Sequence, residues 1–213
     1  MKFNSFQLKW IAVLTMAVDH VGAVLFPQYL IFRYIGRISF PIFCFLLIEG
    51  FFHTRNIEKY MVRLGIFALI SEIPYNLAFS NMLLDTSKQN VFFTLFLGVA
   101  MMYILEKSGS PWLKIIWVSL FSWMSILLRC DYTYKGILLI GIYYYLRDNW
   151  NIKAVLGSGW NFFWGNTIQF YGAFATIPIC MYNGERGKSM KYFFYAFYPV
   201  HLLVLYVISR LIF

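Results

Sequence analysis

The sequence predicts an all-α protein, a polytopic bundle of transmembrane helices forming one domain over residues 1–213. Of these residues, 61% are hydrophobic, 22% aromatic and only 13% charged. A soluble domain of this size has too little interior to bury so many apolar side chains, so lipid must solvate most of them. Polar and basic residues also divide the chain into apolar runs that carry few charges.

The individual spans are predicted from apolar runs, since about 20 helical residues cross the hydrocarbon core. In chain order they are Leu8–Phe26, Ile31–Phe52, Tyr60–Phe79, Val91–Leu105, Trp112–Leu128, the short Gly136–Leu146, and Tyr192–Phe213. The remaining stretch, Ile152–Tyr182, is too long for one straight helix and short for two. Its middle, "LGSGWNFFWGN", holds glycines that could turn the chain.

Basic segments predict the orientation, because Lys and Arg concentrate in cytoplasmic loops. Two such segments are His53–Arg63 and Asn183–Lys191, and both lie inside only if Ile152–Tyr182 crosses twice or dips in and returns. We therefore expect about nine spans (about eight to ten), some short or broken, in an inner or plasma membrane with a cytoplasmic amino terminus. Eight spans would place the second basic loop outside.

Charge and cysteine content exclude several classes of protein. The net charge of +9 is not gathered into a basic cluster within a soluble fold, so no nucleic-acid partner is expected, whereas membrane lipid is. Cys44, Cys130 and Cys180 are scattered and odd in number, which gives neither a disulfide framework nor metal-ligand spacing.

Asp19 and His20 lie deep inside the first apolar run. Lys9 is at the cytoplasmic mouth of that span, and the eleven residues from it to His20 return to the same helix face about 16 Å deeper. Asp19 points about 100° away from His20 and is therefore not automatically its partner.

Further ionisable residues lie at a similar predicted depth. Arg37 is about 20 Å from the inner face, Arg33 is one turn nearer the outside, and Glu72 is about 18 Å up the third span beside Pro74. Charges in lipid are costly unless they pair or face water, so Asp19, His20, Arg37 and Glu72 are expected to share one polar pocket. The alternative is a buried ion pair of Arg37 with Glu72 or Asp19 that fixes helix registry. His201 is interpreted as a hydrogen-bonded core histidine.

Two chemistries suit such a pocket, because histidine exchanges protons near physiological pH. One is acyl transfer, with a base deprotonating an amine or hydroxyl that attacks a thioester, and the other is a proton relay in a transporter. The phosphates of a nucleotide-bearing donor could be held by basic side chains, or those side chains could only signal orientation. The basic residues predicted to bind the donor are Lys9, Arg33, Arg55, Lys59, Arg63, Arg186 and Lys188, with Lys191 nearby. An extended pantetheine arm matches the distance of about 16 Å to His20, so coenzyme A fits.

Several blocks carry a resemblance to a known family. They are "LTMAVDHVGAVLFP", "IGRISFPIFCFLLIEGFFHTRN", "RLGIFALISEIPYNLAFS", "NVFFTLFLGV", "DYTYKGILLI", "YNGERG" and "KYFFYAFYPVHLLVLY". Together they resemble the TraX family, whose founding member acetylates the amino terminus of conjugative pilin. Separately, Lys9-x10-His20 looks like the basic-x10-His signature of the acyltransferase-three family of membrane acyltransferases. The resemblance implies that His20 is the catalytic base and that Lys9 belongs to the path of the donor. The family pattern has Asp where this chain has Asn76.

We therefore expect an integral membrane acetyltransferase that moves acetyl from acetyl-CoA, its co-substrate, to an amine. The acceptor is a peptide or protein amino terminus, or else a glycan or small molecule. In this hypothesis His20 removes the acceptor's proton, Asp19 or Glu72 positions His20, and Arg37 steadies charge. The rival hypotheses are a proton-coupled transporter that uses the same residues, and a membrane scaffold without catalysis.

Overall fold

The structure is a computed structural model that describes residues 2–164 and 168–212, apart from the side chains of residues 150 and 151. Within these ranges the chain forms ten α-helices and one 3-10 helix and has no β-strand of more than an isolated bridge, which confirms the all-α prediction. The helices are α1 Ser5–Val24, α2 Leu30–Gly36, α3 Ser39–His53, α4 Ile57–Ser80, α5 Val91–Lys107, α6 Pro111–Leu127, α7 Thr133–Tyr145, α8 Trp150–Phe162, the 3-10 helix Gln169–Ala175, α9 Thr176–Cys180 and α10 Lys191–Ile212.

Three helices begin at asparagines whose side chains cap them. Asn4 forms a capping box with Gln7 at the start of α1, with both hydrogen bonds at 3.0 Å. Asn56 and Asn90 accept from backbone amides in the first turns of α4 and α5. Such caps satisfy amides that have no partner within the helix.

Three helical segments in the described part are long and apolar enough to cross a membrane: Leu30–His53, Ile57–Ser80 and Lys191–Ile212. The protein is therefore a plausible membrane protein, while the count of about nine spans stays a prediction. The second predicted span is broken into α2 and α3. Pro41 lies in the first turn of α3 and has no amide to donate to the Arg37 carbonyl, which accounts for a break at this point.

The awkward stretch Ile152–Tyr182 folds as α8 followed by the 3-10 helix and α9. These segments are joined by hydrogen bonds between Ser158 and Thr176 and from Gln169 to Asn161. Two residues of the predicted turn, Gly165 and Asn166, lie outside the described residues.

Both basic segments lie at one end of the bundle, here called the basic end, which also carries the starts of α1, α4 and α10. The amides of Phe3 and Ser5 donate to the carbonyls of Met181 (2.6 Å) and Glu185 (2.8 Å), which ties the amino terminus to the second basic loop. Phe67 on α4 stacks on Tyr195 on α10, with ring centroids 5.0 Å apart, so these two helices leave that end side by side.

The opposite end, here called the far end, carries the loops 81–90 and 128–132. They are joined by a hydrogen bond of 2.9 Å from the amide of Gln89 to the carbonyl of Arg129. Between the two ends, α3, α5 and α7 form the buried centre, with Val99, Met101 and Ile140 fully buried. The outer helix α6 exposes Trp112, Ile115 and other apolar side chains, as lipid contact allows.

Candidate active site

Asp19 is held by two arginines, Arg33 in α2 and Arg37 at the carboxyl end of α2. Its carboxylate accepts from Arg33 Nη1 at 2.7 Å and from Arg37 Nη2 at 2.6 Å, and the residue is 6% exposed. Gly36 makes this approach possible, because a Cβ there would lie 2.1 Å from the Asp19 Cβ. The buried ion pair considered as an alternative thus exists, with Asp19 as the partner of Arg37. Arg33 belongs to this cluster and not to the basic end, where the other predicted donor-binding residues lie.

His20 is hydrogen-bonded to His201 of α10. His20 Nδ1 is 2.7 Å from His201 Nε2, and the two rings are nearly parallel, at 5°. On its other side, His201 Nδ1 is 2.7 Å from the carbonyl oxygen of Phe197. The partner of His20 is therefore His201, whereas we expected Asp19 or Glu72.

The Phe197 carbonyl determines the protonation pattern of the neutral pair. A carbonyl can only accept, so His201 carries its hydrogen on Nδ1 and leaves Nε2 as an acceptor. His20 must then donate from Nδ1, which leaves the lone pair of His20 on Nε2. A ring nitrogen with a free lone pair is what a general base requires.

Glu72 has a structural partner. It accepts hydrogen bonds from Asn90, from the backbone amide at 3.1 Å and from the side-chain amide, which also donates to the carbonyl of Ala68 at 2.8 Å. The contact ties the start of α5 to α4 two residues before Pro74. A role of Glu72 in positioning His20 finds no support in these contacts.

A small cavity lies between α1, α2, α3, α5, α10 and the loop before α7, and its wall includes Asp19 and His20. It leaves about 30 Å³ for the centres of water-sized molecules, enough for about one or two waters. Two substrates bound together would need more space than this, so side chains or helices would have to move apart to admit them. Among its other lining residues are Met16, Ser39, Phe40, Asp131, Tyr132 and Tyr198.

Sequence reasoning missed His201, Asp131 and Tyr132 as members of this site. One signal for His201 was available. Lys191 to His201 is ten residues, or about 15 Å of helix, nearly the same depth as from Lys9 to His20. Asp131 had no such signal, because it lies outside the helices in the loop before α7.

The predicted donor-binding residues other than Arg33 lie at the basic end. Lys9 lies near Arg186, and its ammonium is 5.9 Å from the centre of the Phe194 ring. Arg63 is half-buried beside Tyr195 of α10. The remaining predicted donor-binding side chains are exposed at this end: Arg55, Lys59, Arg186 and Lys188.

Comparison with known proteins identifies the family. Residues 5–209 match the model of the family described as TraX protein. The chain belongs to the TraX family. Its resemblance to the acyltransferase-three family rests on Lys9-x10-His20 alone.

The chain is also similar to two curated proteins. A probable fimbrial assembly protein, FimC of serogroup H1, from Dichelobacter nodosus is 30% identical over 233 residues, covering 95% of this chain and 94% of the relative. An uncharacterized protein of Rickettsia prowazekii (strain Madrid E) is 33% identical over 101 residues, or 47% of this chain and 37% of the relative. No solved structure matches this TraX-family chain significantly.

Proposed function

We propose that this TraX-family protein is a membrane acetyltransferase that moves the acetyl group of acetyl-CoA to an amine, with His20 as general base. The observation that carries the proposal is the chain of hydrogen bonds from His20 through His201 to the Phe197 carbonyl. This chain leaves the lone pair of His20 on Nε2, in a residue that lines a cavity within the bundle.

The reaction needs one base and one donor. The neutral amine attacks the thioester carbonyl carbon, so a C–N bond forms and the C–S bond breaks. His20 Nε2 takes the proton that the amine nitrogen loses, and the leaving thiolate takes it back, which regenerates the base. The imidazolium formed in between can donate from both nitrogens, so it keeps the bond from Nδ1 to His201.

The donor is assigned to the basic end. Lys9 and Arg186 lie close together there, and exposed basic side chains surround them. Cationic side chains bind phosphate oxygens by charge-assisted hydrogen bonds, which suits the nucleotide part of coenzyme A. The pantetheine arm would then run about 16 Å along α1 from Lys9 to His20.

The fimbrial relative supports our choice of acceptor. The name of the Dichelobacter protein connects it with fimbrial assembly. We propose that the acceptor here is the amino terminus of a fimbrial or pilin-type subunit. A glycan or a small amine would use the same chemistry.

Replacing His20 tests whether it acts as the general base. His20→Gln, purified in detergent, should lose transfer of radiolabelled acetyl from acetyl-CoA to an amine acceptor by at least about a hundredfold, the usual contribution of a general base. The matched control is His53→Gln, since His53 is exposed near the basic end and bonds to the Glu49 carbonyl. A correctly folded His20→Gln protein with wild-type turnover would disprove the mechanism.

A proton-coupled transporter would use the same buried groups. The contacts of the pair favour the enzyme, because the chain from His20 ends at the Phe197 carbonyl, which accepts a hydrogen bond but cannot pass a proton on. A transporter should move substrate across proteoliposomes without coenzyme A, and such movement would favour that rival.

A further inference from the structure

An ion pair between Lys88 and Asp131 lies at the far end, and Asp131 forms part of the wall of the cavity. The Lys88 ammonium lies 2.6 Å from Asp131 Oδ1. The Asp131 side chain is 22% exposed and lines the same cavity as His20, while that of Lys88 is 53% exposed. A primary ammonium group thus already binds a carboxylate that lines the same cavity as the candidate base.

The two loops do not depend on this ion pair to stay together. The backbone bond from Gln89 to Arg129 joins them, and Arg129 Nη1 donates to the Thr86 carbonyl at 3.3 Å. The loop 81–90 has its own support as well: Asp85 accepts from the Ser80 hydroxyl and from the Ser87 amide, and these bonds lower the pKa of the Asp85 carboxyl below its ordinary value. Lys88 can therefore leave Asp131 while the loops keep their shape.

The two ends of the bundle also differ in how their charges would act on a substrate that approaches the cavity. A cationic acceptor is repelled by the lysines and arginines of the basic end, which suit an anionic donor instead. At the far end the carboxylates of Asp85 and Asp131 balance the charges of Lys88 and Arg129, so a cationic acceptor meets no net repulsion there. Donor and acceptor can thus reach the cavity from opposite ends without competing for one path.

We propose that Asp131 binds the ammonium group of the acceptor, and that Lys88 occupies this position in the free protein until the acceptor displaces it. The substrate class is a primary ammonium compound with an open side chain or peptide behind it. That this compound is an acetyl acceptor rests on the proposed function; that it binds at Asp131 does not. Once bound there, the ammonium loses one proton to water and the resulting amine lies in the cavity that His20 lines.

A binding measurement without acetyl-CoA tests the proposal. The probes are tetra-alanine amide with a free amino terminus and the same peptide acetylated at its amino terminus, titrated calorimetrically into the detergent-solubilised full chain. The wild type should bind the free peptide about tenfold more tightly, as expected for one hydrogen bond to a charged group. Asp131→Asn should lose this preference, and Lys88→Met should bind the free peptide more tightly than the wild type does. Asp131→Asn retaining the preference would overturn the proposal.

Two controls separate binding from folding. Asp148→Asn makes the same chemical change at an exposed residue outside the cavity and should keep the preference. The exchanged pair Lys88→Asp with Asp131→Lys restores an ion pair between the loops, so it should keep the wild-type melting temperature yet lose the preference for the free peptide. If the exchanged pair binds the free peptide as the wild type does, Asp131 has only a structural role.

The two proposals fail in different ways. Absence of acetyl transfer with the free-peptide preference intact would remove the acetyltransferase and leave the ammonium site. Acetyl transfer whose KM for the acceptor is unchanged by Asp131→Asn would remove the ammonium site and leave the enzyme.

Discussion

At the residue scale, a backbone carbonyl decides which nitrogen of His20 keeps its free lone pair. Phe197 fixes the hydrogen of His201, and His201 in turn fixes the hydrogen of His20. In the proposed mechanism His201 is a positioning residue, which acts on the reaction through His20.

His201→Ala should lower kcat by about tenfold or more and leave the KM for acetyl-CoA unchanged, because a residue that orients a catalytic or ligating group commonly contributes that much. His201→Gln should recover part of the loss, since its amide oxygen can accept from His20 Nδ1. Steady-state kinetics with acetyl-CoA as the varied substrate measure both effects. Equal damage from alanine and glutamine, together with a raised KM, would indicate a structural role.

At the residue scale, the sequence predicts the depth of a side chain but not its contacts. Depth along a helix follows from counting residues, so the sequence places Asp19, His20, Arg37 and Glu72 at one level. It does not tell which groups meet, because that depends on the rotation of each helix. Asp19 therefore meets Arg33 and Arg37, while Glu72 meets Asn90.

At the element scale, α1 and α2 pack unusually closely through two glycines. A Cβ on Gly22 would lie 2.2 Å from the Phe32 Cβ, and one on Gly36 would meet Asp19. This contact brings Arg33 and Arg37 onto the Asp19 carboxylate. Because Asp19 and His20 are neighbours, the position of His20 depends on the same contact.

Gly36→Ala should destabilise the protein by about 1–3 kcal/mol, the usual cost of overpacking. It should also slow transfer, because the α1 helix must shift away from α2. The matched control is Gly141→Ala in α7, where an added Cβ has nothing within 4 Å. That change should be neutral, or stabilising by up to about 1 kcal/mol, from helix propensity alone. Melting curves in detergent compare the two, and equal melting temperatures would contradict the close packing.

At the scale of the whole molecule, the two ends of the bundle differ in chemistry. The basic end gathers the amino terminus and both basic segments, and the far end carries the loops with Lys88 and Asp131. By the positive-inside rule the basic end is expected in the cytoplasm. The far end would then face the opposite side of the membrane.

Cysteine labelling tests this orientation. In a background where Cys44, Cys130 and Cys180 are alanine, a membrane-impermeant maleimide should label Leu84→Cys in intact spheroplasts, since Leu84 is 79% exposed at the far end. Lys188→Cys should react only after permeabilisation. Labelling of both positions in intact spheroplasts would contradict the predicted crossing of the membrane.

The sequence by itself determined the all-α class and the apolar character that points to a membrane, because hydrophobicity and helical periodicity are local properties. The depth of each ionisable group follows from the rise per residue and stays a prediction. Only the tertiary structure decided the partners. His201 and Asp131 reach the site from elements more than a hundred residues away from His20, and their contacts depend on how helices rotate and pack, which no local pattern encodes.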